Sequence, residues 1–231
     1  MIELREIRKR LGGVEILRGF SLILEAGQIG LLLGPNGAGK TTALRIAVGS
    51  LAEDSGSVRA DGARLSPAVR RQRFAYLPQG VGFHPKMDGR QILAFYARSL
   101  GLSASSIEPA LRQWGLVEHA SKPTSALSGG LRQRLGLAVM SLRETDALLL
   151  DEPDISLDAE WRERMQQWLR EQTVRGRSIL VATHLLGEWE GRADRALLCQ
   201  YGLARGEVDP AKLRSEGAEA LRGQAMGEVA K

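Results

Sequence analysis

Five short, almost uninterrupted apolar runs punctuate the chain: QIGLLL (28–33), RFAYL (73–77), ALLLD (147–151), SILVAT (178–183) and RALLC (195–199). Continuous runs of this kind, unlike alternating ones, suit strands covered on both faces. The stretches between them carry helical spacing, so the pattern predicts an α/β fold with a mostly parallel sheet. Residues 1–24 read differently, as amphipathic strands broken by Gly12-Gly13, which predicts an N-terminal antiparallel β region at an edge. From 89 to 122 no strand-like run occurs; GRQILAFYARSLG and SSIEPALRQWGL read as helices. A helical subdomain inserted at about 80–130 between two core strands follows, within one domain spanning 1–208. The remainder, 209–231, is rich in Ala, Gly, Glu and Lys and predicts a short helix or a fraying tail.

Composition narrows the class. With 231 residues, 43% hydrophobic and 26% charged, the chain is long enough to bury a large core and ordinary for a globular protein. No apolar run approaches the ~18–20 residues that span a bilayer. MIELREIRKR has no apolar stretch of signal-peptide length, so secretion is not expected. A single cysteine, Cys199, leaves no intramolecular disulfide and no cysteine-based zinc cluster, and the expected compartment is the cytoplasm. The net charge of +5 hints at an anionic partner, but the arginines are interleaved with Glu and apolar residues, as on solvated faces.

Candidate chemistry begins after the first apolar run. GPNGAGKTT (Gly34, Pro35, Asn36, Gly37, Ala38, Gly39, Lys40, Thr41, Thr42) satisfies G-x-x-x-x-G-K-[ST] between a strand and a helix. Glycines let successive backbone N–H groups close around phosphate oxygens. Lys40 reaches the β- and γ-phosphates, Thr41 offers a hydroxyl to Mg²⁺, and the helix adds its partial positive charge. The motif predicts a nucleoside triphosphate. ALLLDEP then ends a buried strand in Asp151, at the sheet edge where ligands of open α/β folds bind. Asp151 is expected to hold Mg²⁺, and Glu152 to act as general base on the attacking water; taken alone, the two are simply solvated acids at a strand end.

Other polar outliers are weighed by position. Gln79 follows RFAYLP and either touches Mg²⁺ or the nucleophilic water, or is an ordinary loop glutamine. His184 follows a strand and either bonds the γ-phosphate and orients Glu152, or is structural. His84 and His119 read as surface residues of the helical insert. Asp158 reads most simply as a helix cap, and the Trp and Met residues of WRERMQQW (161–168) as packing. In SALSGGLRQR (125–134) the paired glycines read as a turn into a helix, or as half of a nucleotide site.

Together these pieces resemble the nucleotide-binding domain of ABC transporters, over roughly residues 2–208. The order is the family's: phosphate loop at 34–42, glutamine loop at Gln79, signature LSGG at 127–130, DE pair at 151–152, SLD at 156–158 and a switch histidine at His184. The resemblance implies a P-loop NTPase core and catalytic roles for Glu152, His184 and Gln79. It implies Mg²⁺ on Thr41, Gln79 and Asp151, and ATP as the nucleotide. By the same analogy, Ser128, Gly129 and Gly130 of one chain contact the γ-phosphate held by another, so a homodimer, or a heterodimer with another ABC ATPase, encloses two ATP molecules. A separate integral-membrane permease is the implied partner, with the chain peripheral on the cytoplasmic face of the membrane. VRRQRFAYLPQGVGFHPKMDGRQILAFYARSLGL and LRQRLGLA look most like single-domain exporter-type ATPases and, more weakly, the ATPase associated with maturation of the copper site of nitrous-oxide reductase. The competing class is an ABC ATPase that works on nucleic acid or the ribosome; only the basic charge favours it, and no nucleic acid is expected. Three departures stand out. Leu131 replaces the usual glutamine after the signature, Leu11 stands where an aromatic residue commonly stacks on adenine, and Asp154-Ile155 replace small polar residues.

Overall fold

A computed structural model describes residues 1–217. In chain order the strands and helices are β1 (Ile2–Leu11), β2 (Val14–Leu24), β3 (Ile29–Leu33), α1 (Lys40–Ala47), β4 (Ser55–Ala60), β5 (Ala63–Arg64), α2 (Pro67–Arg73), β6 (Phe74–Leu77), α3 (Gly89–Ser99), α4 (Ile107–Gln113), α5 (Gly129–Ser141), β7 (Ala147–Asp151), α6 (Ala159–Val174), β8 (Ser178–Thr183), α7 (Leu186–Trp189), β9 (Arg195–Gln200) and β10 (Leu203–Val208). The five apolar runs are all strands. RFAYL begins one residue later than its pattern suggests, because Arg73 still belongs to α2.

The chain divides into two compact units. The first comprises residues 1–76, 145–152 and 165–231, of which 218–231 lie outside the described residues. Its larger sheet has the order β10-β9-β3-β8-β7-β6. β3 pairs in parallel with β8 and β9, and β7 with β8, whereas β10 turns back antiparallel to β9. Every residue of β3, β7 and β8 is buried, which is why these strands read as continuous apolar runs.

The N-terminal pair is antiparallel, as expected, but it belongs to a second sheet of four strands, β2-β1-β4-β5, not to an edge of the parallel one. SGSVRADGAR gave no strand signal because β4 and β5 are short and rich in small residues; they persist by pairing with β1 and with each other. α1 supplies Ala43, Leu44, Ile46 and Ala47 to one apolar cluster with Ile7, Leu17 and Phe20 of the antiparallel sheet and Leu32, Leu149 and Leu180 of the parallel one. Of the 209–231 segment, Pro210–Lys212 form a 3-10 turn and Leu213–Gly217 a π-helical turn; the rest falls outside the described residues.

The second unit comprises residues 77–144 and 153–164. Here α3, α4 and α5 pack on one another through Ile92, Leu93, Leu111, Trp114 and Leu135. Asp88 and Gln91 start α3 with a reciprocal capping box. His84 is exposed, but His119, read from sequence as a surface residue, is half-buried with Nδ1 enclosed: the short turn Val117–His119 lays its ring inward.

Candidate functional site

The strand–loop–helix of the first unit folds as its sequence demands. β3 stops at Leu33, and the loop rises over the C-terminal edge of the sheet before α1 begins at Lys40. A Cβ on Gly34 would fall 2.2 Å from the Cys199 carbonyl oxygen of neighbouring β9, so only glycine fits there. Gly39 precedes α1 at φ 101°, a left-handed conformation that costs glycine little. The Ala38 carbonyl accepts from Gly202 N, whose own carbonyl accepts from Arg18 N, tying the loop to β2 through the β9–β10 turn. Lys40 Nζ is buried and donates to the Gly34 and Pro35 carbonyls at 2.7 and 3.2 Å. Pro35, Asn36, Gly37 and Thr41 are exposed and Thr42 half-exposed, leaving the loop's outer face open to a ligand.

Two strands away, β7 ends in Asp151, whose Cα pairs with Ala182 of β8 just as Leu33 pairs with Thr183. The ends of β3, β8 and β7 therefore align, which brings the loop, the acidic pair and His184 to one edge. Asp151 is 1% exposed. Its Oδ2 accepts from the Tyr76 hydroxyl at 3.2 Å, while Oδ1 is enclosed without a hydrogen-bond partner. Burial, and then the Asp151 charge, push the Tyr76 phenol well above its ordinary value, so it is a donor at any working pH. A buried carboxylate oxygen with no donor is costly unless a cation meets it. The donor set therefore fits a hard divalent metal.

Glu152 follows at φ 49°, its amide donating to the Ala182 carbonyl at 2.8 Å. That kink takes the side chain out of strand alternation. Its Oε2 lies 2.7 Å from His184 Nδ1, the carboxylate being 6% and the imidazole 51% exposed. A buried base held by a half-exposed ring is a group that can take a proton from water and be kept aimed while doing so.

The remaining sequence candidates lie in the second unit. Gln79 is exposed in the loop after β6. Ser128 caps α5, its Oγ accepting from Leu131 N at 3.2 Å, and Gly129 and Gly130 form the first turn. Asp158 does what a helix cap does, accepting from Trp161 N at 3.0 Å. Sequence reasoning missed Tyr76, whose signal was its place in the same strand as the run before Gln79. It singled out SLD at 156–158 without foreseeing the φ of 70° at Ser156, and it missed buried Gln133, which donates to the Pro153 carbonyl at 3.0 Å.

Comparison with known proteins places this arrangement. The sequence profile described as ABC transporter matches residues 17–154. Nod factor export ATP-binding protein I of Burkholderia lata is 35% identical over 215 residues, covering 90% of this chain and 71% of that protein. Its counterpart in Paraburkholderia xenovorans is 34% identical over 218 residues, covering 92% and 72%. Two solved structures share the fold. The ATP-binding subunit of an ABC transporter superposes with TM-score 0.83 at 24% identity over 100% of both chains. An ATP-binding cassette in a dimeric post-hydrolysis state, bound to ADP and Pi, gives 0.80 at 22% identity over 91% of this chain and 99% of that one.

Proposed function

The chain belongs to the ABC transporter family, as an ATP-binding subunit with an ATPase domain, and we propose that two copies, or one copy and a homologue, enclose two ATP molecules and drive a separate membrane permease. The observation that carries this reading is the aligned strand edge, where buried Asp151 and the Glu152–His184 pair stand beside the phosphate loop. Lys40 and the backbone amides of the Gly34–Thr42 loop, other than Pro35, which has no N–H, bind the phosphates, and α1 contributes the positive end of its dipole. Thr41, Gln79 and Asp151 are the residues that would hold Mg²⁺, whose chemistry is to neutralise charge on the β- and γ-phosphate oxygens. Glu152 takes a proton from water as its oxygen attacks the γ-phosphorus; the bond to the bridging oxygen breaks and ADP leaves. His184 holds the Glu152 carboxylate through the 2.7 Å contact, and its half-exposed ring is the group we assign to the γ-phosphate.

Ser128, Gly129 and Gly130 complete the site from the partner chain, at the N-terminal end of a thirteen-residue helix. Residues 1–208 form the ATPase domain, and the helical insert of about 80–130 docks on the permease. Among the described residues no helix is long and apolar enough to cross a membrane; a peripheral place on the cytoplasmic face is proposed from membership of the family alone. The named relatives are export proteins, which favours transport, in the outward direction, over action on nucleic acid.

Glu152→Gln tests the assignment. The variant should bind ATP, associate in its presence and hydrolyse it at least about a hundredfold slower, the loss expected of a general base. Turnover equal to that of the parent in a phosphate-release assay removes Glu152 from the mechanism.

A further inference from the structure

The 128–130 turn and the 153–164 segment lie in one compact unit and meet at several points. At the start of α5, a Cβ on Gly129 would fall 3.1 Å from Ser156 Oγ, and one on Gly130 would fall 2.7 Å from the Ser156 carbonyl oxygen. The second obstacle is backbone, so position 130 must be glycine whatever it binds. Ser156 is held in the left-handed region at φ 70°, a conformation a serine adopts only under constraint. One helical turn further on, the Arg134 guanidinium stacks over Trp161, 4.2 Å from the ring centroid. Arg164, paired with Glu160 at 2.7 Å, approaches the same ring at 4.7 Å.

Trp161 is also fixed by its backbone, whose amide donates to Asp158. It is wedged against Gly115 as well, where a Cβ would fall 2.5 Å from the indole. Burial lowers the Arg134 pKa, as does the Arg164 charge, while the Asp158 and Glu160 carboxylates raise it; a guanidinium starts so high that it stays charged over the ring. Gln133, beside Arg134, is bonded to Pro153 at the other end of the segment.

We propose that Ser156 and Trp161 are positioning residues for the 128–130 turn, locking the segment from Ser156 to Trp161 against the first two turns of α5 so that the two move as one body. The proposal rests on the reading above that this turn meets a partner chain's nucleotide. A donor set at a helix N-terminus stabilises developing charge only if it is preorganised. Here the glycines that free the α5 amides also leave its first two positions without side chains, so beyond the Ser128 cap that end must be fixed from outside. Contact with Ser156 and the stacked Trp161–Arg134 pair supply the missing rigidity.

The test uses the full chain in the Glu152→Gln background, which separates association from hydrolysis. ATP-dependent dimerisation is followed by sedimentation, and binding to the phosphate loop by fluorescence of a trinitrophenyl nucleotide. Trp161→Ala should leave nucleotide affinity within about twofold and weaken ATP-driven dimerisation about tenfold, the scale of a partly buried cation–π pair. Trp161→Phe, which keeps a ring for Arg134, should recover most of it. A merely structural role predicts a lower melting temperature with unchanged association, and that result overturns the proposal; so does a Phe variant as impaired in association as the Ala one. If Trp161→Ala does not fold, Arg134→Met, which keeps the stem and removes the stacked charge, is judged by the same criteria. A Glu152→Gln parent that stays monomeric with ATP overturns the composite-site reading itself, and this proposal with it.

Discussion

Glu152 occupies a backbone conformation, φ 49°, that costs a non-glycine residue roughly 1–3 kcal/mol. The bond from its amide to Ala182 holds it there, and the gain is a carboxylate directed at His184 instead of back into the sheet. Asp151, one residue earlier, stays in the strand and meets the Tyr76 hydroxyl; both acids are buried, and it is their partners, Tyr76 and His184, that differ. Tyr76 completes the set by occupying Oδ2 of Asp151 and leaving Oδ1 for a cation. Tyr76→Phe should therefore raise the Mg²⁺ concentration needed for half-maximal ATPase about tenfold, the usual cost of losing an outer-shell partner. Nucleotide binding measured in chelator should not change. An unaltered Mg²⁺ requirement would mean that the phenol only packs.

Among the elements, α1 meets two demands at once: its first residue, Lys40, is the one proposed to bind the phosphates, and its buried face joins two sheets. Its C-terminal carbonyls are not left to water. Arg70 of α2, wholly buried, donates to the Ile46 carbonyl at 2.6 Å and to Glu53 Oε2 at 2.8 Å, and Arg71 donates to the Gly49 carbonyl at 2.5 Å. Arg70→Ala should cost about 3–5 kcal/mol, because it strands a nearly buried Glu53 carboxylate as well as a helix carbonyl. Urea denaturation would read this as a lowered midpoint at unchanged slope. Hydropathy could not have found this role: PAVRRQR reads as a solvated basic turn, and Arg70 is buried only because its partners come from α1 and the loop after it. The five core strands, by contrast, were legible because burial on both faces requires an apolar residue at every position. β4, β5 and β10 were not legible, since β4 is held by pairing with β1, β5 by pairing with β4, and β10 by pairing with β9.

For the molecule as a whole, Cys199 reports on integrity. It is wholly enclosed beside the phosphate loop, and burial pushes its thiol up to about 12 despite the nearby Lys40. At pH 8 the thiol is therefore neutral as well as shielded, and a disulfide reagent should label it only when the first unit opens. MgATP at a hundred times its Kd should slow labelling about a hundredfold by linkage, readable by the absorbance of released thiolate. Labelling that ignores ATP would show that opening around β9 is independent of the loop. The sequence by itself determined the fold class, the phosphate loop, the order of the family motifs and the acidic pair. Those features are contiguous: a phosphate is wrapped by successive amides, and a buried strand must be apolar along its length. Only the tertiary structure decided that Tyr76 serves Asp151, that Glu152 leaves strand alternation to reach His184, that Arg70 closes α1, and that Gly130 must yield to Ser156. Each of these joins residues far apart in the chain, where no periodicity links one identity to the other and only packing brings them within contact.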